Sequence, residues 1–532
     1  MMQQRLLLFS SLMVEAFIGL TIMACGGGND DYIPQAVQPD IPKTPITPVV
    51  EPEYNSLGEN FKVHQDGEPF DTYMGLVMCG YQGWFGTPGD GSPLTTVYAN
   101  EGWYHYRENE QFRPGVLHNS IDFWPDMSEY ENKYVVGDGD ATGYSSPFIM
   151  PDGSHASVFS SYDRQTVMTH FKWMKQYGID GVFMQRFVGE IMDARHKDHF
   201  DVVLGHAMAA SNEFQRAIAV MYDMSGITTD ANMQVMINDA QELINKYNLT
   251  DRSQQKYYLH ENGKPMLALW GVGFNDNNHP KPTFLKPYID QLKAQGWSIM
   301  LGCPGYWRQG GYDCVGGAEH TELIKLIRQC DAFIPWYVGR YGHDNFTNEE
   351  WQTRIKQDVA AAKTYSTMDH RVVYAEHIFP GGSDRNMHPN NGKDAPDHTN
   401  TGSRFGGRFY WNQFYYDIRN GAQAIYVGMF DEMDEGTAIF KQLNVSKVPS
   451  NVASADYYVN YSTNGSYSIS STQRTGSSIQ WSELASTLDI RFQGIDDDKP
   501  TDYYLWLTGE GRKMLNGQIK MTKEIPSKQS KQ

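Results

Sequence analysis

"AQAIYVGMFDEMDEG", residues 422–436, joins a short apolar run to four carboxylates within five positions. Seven similar apolar runs precede it, and they begin at residues 75, 179, 217, 265, 297, 332 and 371. Segments with helical patterning separate them, such as "TVMTHFKWMKQYG" (166–178) and "LKPYIDQLKAQG" (285–296). Strands that alternate with helices are typical of the α/β class. Eight such units in succession predict a (β/α)8 TIM barrel.

The character of the runs favours the barrel. They are almost continuously apolar, as expected for parallel strands that are covered on both faces. A doubly wound open sheet is the alternative, but no GxGxxG turn follows the first run.

Two segments break the regular spacing, and the first of them predicts a long, structured loop at the active face. The segment between the first and second runs is too long for an ordinary connection. The polar, Ser/Tyr-rich segment 455–494 predicts a small β-rich insertion, and "DYYLWLTGEGRKML" (502–515) predicts a closing helix. The barrel domain is therefore expected over 55–522, with a disordered tail over 523–532. A separate C-terminal module is the alternative to the insertion.

The N-terminus has the pattern of an export signal. Residues 1–25 contain Arg5, a mostly apolar stretch that is interrupted by Glu15, and "IMAC", which resembles a bacterial lipobox. The resemblance implies that Cys25 is lipidated. Residues 26–54 are rich in Gly, Asp and Pro and predict a tether. Acidic residues after the cysteine resemble the export signal of surface lipoproteins in Bacteroides-like bacteria. An outer-membrane lipoprotein, facing the periplasm or the cell surface, is expected.

The composition limits the classes of molecule that the protein is expected to bind. The net charge of −19 and the absence of a basic stripe argue against nucleic acid. Aromatic residues make up 13% of the chain, as suits a protein that stacks on sugar rings. The chain has no CxxC or HExxH motif, so we expect no metal site, and we expect no cofactor. Whether Cys303 and Cys314 pair is left open. The protein is expected to be a monomer.

The acidic cluster is the strongest functional signal. Barrel enzymes carry their chemistry on the loops that follow the strands, which is where residues 431–435 would lie. Glu432 and Glu435 are three apart, so on a helical turn they share a face. Two neighbouring carboxylates are what cleavage of a glycosidic bond requires, and their mutual repulsion keeps one protonated. A solvated acidic loop and an irregular calcium site are the alternatives.

Three segments resemble glycoside hydrolase family 99, the endo-α-mannosidase/mannanase group, which is related to family 71. "DEMDEGTAIFK" (431–441) is similar to that family's "NEWHEGTQIEP", "HIFPGGSDRN" (377–386) to its "FPGxS" segment, and "YYLWLTGEGRKML" (503–515) to its closing helix. Divergent bacterial members are often labelled xylosidase/arabinosidase. The resemblance implies a retaining α-glycosidase in which Glu432 is a base toward the 2-hydroxyl of the sugar and Glu435 is the general acid and base. Here Asp431, Met433 and Asp434 replace the family's Asn, Trp and His.

Other polar and aromatic residues at predicted strand ends are candidates for substrate binding. Each of them has an alternative role in packing, helix capping or a structural ion pair. The candidates besides Asp431 and Asp434 are Tyr81, Gln82, Trp84, Gln185, Arg186, Asp223, Trp270, Trp307, Trp336, Glu376 and His377.

The sequence therefore predicts a glycoside hydrolase that acts on α-linked glycans, with a mannose-configured substrate as the first expectation. A noncatalytic surface glycan-binding lipoprotein on the same barrel is the main alternative. A metal-dependent hydrolase or lyase that uses the Asp431 cluster is a third.

Overall fold

The computed structural model describes residue 57 and residues 61–96, 102–107, 112–115, 118–136, 147–383, 386, 401–451, 458–461, 467–470, 478–480 and 492–528. The predicted signal (1–25, with Cys25) and tether (26–54) lie outside these residues.

Eight parallel strands form a closed ring, which confirms the predicted (β/α)8 barrel. Around the ring their order is β3, β2, β1, β8, β7, β6, β5 and β4, and β3 pairs with β4 to close it. Each strand begins within two residues of its predicted start. The strands are β1 Val77–Tyr81, β2 Gly181–Phe187, β3 Ala217–Asp223, β4 Lys264–Trp270, β5 Ser298–Pro304, β6 Ala332–Trp336, β7 Val373–Ile378 and β8 Ala424–Val427.

Within the described residues, eight long helices surround the ring, and each of them buries apolar side chains. The helices are α1 Arg164–Tyr177, α2 Ala194–Phe214, α3 Asp230–Lys246, α4 Pro282–Ala294, α5 Gly317–Gln329, α6 Glu349–Lys363, α7 Arg408–Asn420 and α8 Tyr503–Leu515. Four-residue helices also occur at Pro93–Thr96 and His343–Phe346. Within the described ranges, no helix has the length and apolar character that crossing a membrane requires.

The first and last strands of the ring are direct neighbours. Val77 is in register with Ile425, and Cys79 with Val427. Parallel strands end at the same face of a barrel, so the loops that follow β1 and β8 meet there. At the opposite end, buried Asp180 accepts the backbone N–H of Val77 at 2.8 Å and pairs with Arg512 of α8 at 3.0 Å.

The two irregular segments contain their own short strands. Tyr134–Val135 pairs with Ser157–Val158 in the long segment between β1 and β2. Between β8 and α8, the strands Tyr458–Tyr461, Tyr467–Ser470 and Ser478–Gln480 form an antiparallel sheet within the predicted insertion (455–494). Of the predicted disordered tail (523–532), residues 523–528 are described, and Lys528 pairs with Asp502.

The four cysteines of the described barrel are free and buried. Cys303 and Cys314, whose pairing the sequence leaves open, are separate thiols, as are Cys79 and Cys330. Burial raises the pKa of all four thiols, which disfavours the reactive thiolate.

Candidate active site

Asp431 ties the loop after β8 to the end of β1. Its buried carboxylate accepts the backbone N–H of Gln82 at 2.7 Å and that of Gly83 at 3.0 Å. Burial raises the pKa of Asp431 to about 7, although these two N–H groups oppose the rise. Both oxygens are thus occupied by backbone, so Asp431 fixes the loop and does not present itself to a ligand.

Glu432 lies beside the same strand end, with only 2% of its surface exposed. The side-chain amide of Gln82 donates a hydrogen bond to it, and Glu432 and Asp434 hydrogen-bond to each other. Two ionised carboxylates cannot share a hydrogen bond, so one of them carries a proton. Burial and then the charge of Asp434 raise the pKa of Glu432 well above its usual range. Both effects favour the protonated form of Glu432.

His105 reaches this pair from the long segment between β1 and β2. Its Nδ1 is 3.0 Å from Oδ2 of Asp434, and its ring stacks on Trp84 with 3.6 Å between centroids. Burial alone would raise the pKa of Asp434. Hydrogen bonds with Glu432 and His105, together with electrostatic attraction to His105, outweigh burial, so the pKa of Asp434 is lowered. The surroundings of Asp434 therefore favour its ionised form.

Glu435 is half-buried on the same turn. Its charge contributes to the raised pKa of Glu432, so the two glutamates are within electrostatic reach of each other. Its backbone carbonyl accepts the N–H of Ser383, in the loop after β7, at 2.8 Å. The structure thus places both members of the predicted pair, Glu432 and Glu435, on the turn after β8 at the C-terminal face of the barrel.

Gly436 allows the loops after β7 and β8 to approach this closely. Its φ is +63°, and a β-carbon there would be 2.7 Å from the backbone nitrogen of Ser383. Both the left-handed backbone and the contact require glycine.

Asp122 connects the same two loops from the long segment between β1 and β2. Its backbone N–H donates to the carbonyl of Met433 at 3.1 Å. Its carboxylate accepts the N–H of Asn386 at 2.8 Å and the hydroxyl of Ser383. The long segment therefore contributes directly to the candidate site through Asp122 and His105. Sequence reasoning missed both residues, since neither occurs in a recognisable motif.

At the end of β2, Gln185 and Arg186 point in opposite directions. Gln185 donates to the Tyr426 hydroxyl of β8 at 3.1 Å, across the barrel interior. Arg186 was predicted to line the pocket, but it pairs with buried Asp239 of α3 and with Asp201 of α2, at 2.5 and 2.6 Å. Successive side chains of a strand face opposite sides, so only one of the two can face the interior.

The same alternation separates Tyr81 from Gln82. Gln82 reaches Glu432, whereas the Tyr81 hydroxyl lies 2.8 Å from Nδ1 of His170 in α1. Tyr81 is therefore part of the packing between β1 and α1, and it does not line the site as predicted.

On β7, His377 faces the interior and Glu376 faces the helices. His377 stacks on Trp336 with 4.4 Å between centroids, and its Nδ1 accepts the backbone N–H of Tyr337 at 2.9 Å. Burial lowers the pKa of His377 to about 3, so the ring is neutral and its proton is on Nε2. Burial and then the charge of Asp417 in α7 raise the pKa of Glu376 well above its usual range. A structural ion pair was the alternative role for Glu376, but in the described part of the chain neither Arg371 nor Arg404 pairs with it, and Arg371 pairs with Glu261 instead.

The predicted tryptophans divide into two groups. Trp336 is half-buried and meets Trp270 edge to face at 5.3 Å, inside the barrel mouth. The indole N–H of Trp270 is buried and has no acceptor among the described residues. Trp84 is covered on both faces, by His105 and by Phe187, so it holds His105 in place and offers no free face to a sugar.

Trp307 and Asp223 have structural contacts. Trp307 is fully buried against Phe333 and Tyr374 in the layer between strands and helices, so the prediction that it binds substrate is not supported. Asp223, at the end of β3, accepts the backbone N–H of Ser225 at 2.8 Å. That hydrogen bond closes the turn after the strand.

The alternative of a metal-dependent hydrolase or lyase would require a group of metal-ligating side chains. Within the described ranges, no three His, Cys, Asp or Glu side chains are grouped so as to hold a metal ion.

Comparison with known proteins agrees with the fold. No protein-family model and no curated protein matches the chain. Among solved structures, a GH99 endo-alpha-mannosidase from Bacteroides thetaiotaomicron is similar at a TM-score of 0.51 and 13% identity, over 84% of this chain and 99% of that one. A GH99 endo-alpha-mannosidase from the same organism, in complex with bis-tris propane, gives a TM-score of 0.49 at 14% identity, over the same shares of the two chains. The chain therefore shares the (β/α)8 barrel fold of this endo-alpha-mannosidase.

Proposed function

We propose that this protein is a retaining glycoside hydrolase that cleaves α-linked glycans, with Glu432 and Glu435 as its catalytic pair. The observation that carries the proposal is the setting of Glu432, a buried carboxyl group that contacts Gln82 at the end of β1 and shares the turn after β8 with Glu435. Two neighbouring carboxyl groups, one acting as an acid and the other as a base or nucleophile, are the equipment for cleaving a glycosidic bond.

The proposed roles follow the resemblance to family 99. Glu432 removes the proton of the sugar's 2-hydroxyl, whose oxygen then attacks the anomeric carbon. Glu435 protonates the leaving oxygen and afterwards activates water. A raised pKa makes Glu432 the stronger base once it has lost its own proton, because proton transfer is favoured as the pKa of the base rises.

The inward-facing residues support a sugar as the substrate. Trp336 offers a partly exposed ring, Trp270 and His377 offer N–H donors, and Gln82 and Gln185 supply amides. Such a mixture of aromatic faces and neutral hydrogen-bonding groups suits a carbohydrate. The described structural neighbour is an endo-alpha-mannosidase, so a mannose-configured glycan is the first substrate to test.

The test compares Glu432→Gln and Glu435→Gln with wild type on α-mannans, α-glucans and pentose-containing glycans. Loss of either group should reduce hydrolysis by about 10²-fold to 10⁴-fold. On a glycosyl fluoride, whose leaving group needs no proton, Glu435→Gln should recover activity and Glu432→Gln should not. The reverse pattern would exchange the two roles, and wild-type rates for both variants would refute the proposal. Glycan binding without hydrolysis by wild type would favour the noncatalytic alternative.

We also propose that Cys25 carries a lipid that anchors the protein to the outer membrane. The support is the lipobox-like "IMAC" and the tether after it. Cys25→Ala should move the protein from the membrane fraction to the soluble fraction, and an unchanged distribution would contradict the anchor.

A further inference from the structure

We infer that His105 is a positioning residue that controls, through Asp434, the pH at which Glu432 gives up its proton. This inference rests on the proposed function of Glu432 as a base. The observation that carries it is the 3.0 Å contact between the His105 imidazole and Asp434, whose carboxylate acts electrostatically on Glu432.

The backbone and the aromatic contacts hold His105 in one position. Its φ of +59° is in the left-handed region, which few residues other than glycine adopt. Such conformations persist where the surroundings impose them, and they are concentrated at functional sites. Trp84 is the platform, since its ring is parallel to the imidazole within 5° and its other face is closed by Phe187.

The imidazole has one end in the site and one end toward solvent. Its Nδ1 faces Asp434 at 3.0 Å, and the side chain is 23% exposed, whereas that of Asp434 is 6% exposed. Histidine is the side chain whose charge changes between about pH 5 and pH 8. The imidazole is therefore the part of this contact that solvent reaches, while Asp434 and Glu432 remain enclosed.

The charge of the imidazole is felt at Glu432 through Asp434. A cationic His105 stabilises Asp434 as a carboxylate and lowers the total proton affinity of the Glu432 and Asp434 pair. A neutral imidazole provides less of this stabilisation, so the pair holds its shared proton to a higher pH. Glu432 can act as a base only after that proton has left.

Other titratable groups face the same place and are part of the balance. The described elements around His105 contribute Glu435 and Asp431 from the loop after β8, Glu190 from the turn after β2, and His196 and His199 from α2. Glu190, His196 and His199 contact Tyr104, the neighbour of His105. None of the three is hydrogen-bonded to Asp434 in the described part of the chain. His105 is in direct contact with Asp434, at 3.0 Å, and is itself partly exposed.

The test uses two substitutions that should act in opposite directions. His105→Asn keeps a hydrogen-bond donor for Asp434 and tolerates the left-handed backbone, but it has no charge. Without the cation, the acidic limb of the pH-rate profile should move up by about one pH unit. Asp434→Asn removes the negative charge beside Glu432, so the acidic limb should move down by a similar amount. His155→Asn, at an exposed site, is the control and should leave the profile unchanged.

A second measurement does not depend on hydrolysis. A protonated imidazole quenches the fluorescence of an indole on which it stacks, so the difference between wild type and Trp84→Phe reports the charge of His105. In Asp434→Asn, the pH at which this fluorescence changes should fall, because the imidazolium has lost its carboxylate. If the fluorescence shift occurs and no glycan is hydrolysed, the linkage of His105 to Asp434 stands and the proposed function fails. If the fluorescence does not shift, or both variants move the limb in the same direction, the inference is overturned.

Discussion

The side-chain amide of Gln82 donates a hydrogen bond to Glu432, and this contact joins the ends of the first and last strands of the barrel. The same residue donates its backbone N–H to Asp431 at 2.7 Å. Gln82 therefore fixes both the position of the loop after β8 and the environment of its buried acid.

Replacing Gln82 with Met should weaken catalysis without unfolding the barrel. Gln82 stabilises the ionised form of Glu432, so its loss should raise the pKa of that group further and move the acidic limb of the rate profile upward. The rate should fall about 10-fold to 100-fold, since a hydrogen bond to a charged group contributes about 1.5–3 kcal/mol. A pH-rate profile and a thermal melt provide the two measurements. An unchanged profile would show that the contact does not tune Glu432.

Substitutions of the neighbours Gln185 and Arg186 should have different effects, the first on substrate binding and the second on the stability of the fold. Arg186→Met removes the closer of the two cations that pair with buried Asp239 and leaves Lys197 at 3.6 Å, which should cost about 3 kcal/mol in urea unfolding, with KM unchanged below the transition. Gln185→Ala should instead raise KM about fivefold, the equivalent of about 1 kcal/mol for a neutral hydrogen bond, with little loss of stability. If Arg186→Met raised KM at a temperature where it is fully folded, Arg186 would contact the substrate after all.

Gly436→Ala should damage the site through the backbone. A β-carbon at this position would press on Ser383 and separate the loops after β7 and β8, so activity should fall together with the melting temperature. Gly517→Ala is the matched control, because Gly517 has φ +66° and no atom within 4 Å of the added carbon. The control should show only the strain of a left-handed alanine, about 1–2 kcal/mol, with full activity. Equal effects for the two variants would mean that the contact with Ser383 is unimportant.

Glu376→Gln should stabilise the protein at high pH. Burial and the charge of Asp417 raise the pKa of Glu376, so the folded protein keeps a proton that the unfolded chain releases at lower pH. This group therefore costs stability progressively as pH rises above its ordinary range, whereas glutamine has no proton to lose. Urea unfolding should give a gain over wild type of at least about 1.4 kcal/mol at pH 8, the equivalent of one pKa unit, and little difference at pH 4.

The control for that experiment is Glu350→Gln, which changes an exposed carboxyl group at the start of α6. Its effect on stability should be the same at both pH values. A gain for Glu376→Gln that is equal at pH 4 and pH 8 would indicate a packing effect unrelated to the proton.

The order of the strands and helices could be predicted from the sequence, because a parallel strand that is buried on both faces is an almost continuous run of apolar residues. The predicted acidic turn is also at the expected end of β8. Pairs of adjacent candidates were harder to interpret. Of Gln82 and Tyr81, Gln185 and Arg186, or His377 and Glu376, only the first of each pair faces the interior. Strand alternation requires one of each pair to face outward, but the sequence does not reveal which one without the register of the ring.

Two residues of the site, His105 and Asp122, could not be predicted from the sequence for a different reason. His105 and Asp122 reach the site from an irregular segment, through a left-handed backbone and through contacts with loops far away in sequence. Neither periodicity nor motif spacing records such contacts. Trp84 shows the converse, since an aromatic residue at the correct strand end is used to support a histidine.

The pairing of β1 with β8 also determines when the protein can become active during synthesis. Gln82 must find Asp431 across 349 positions, and β1 has an open edge until the last strand arrives. Contacts of such high sequence separation form late, so a nascent chain on the ribosome should stay inactive and sensitive to protease until residues beyond 440 have emerged. Chains released at successive lengths would reveal this, and full protease resistance in one that ends before residue 424 would argue against it.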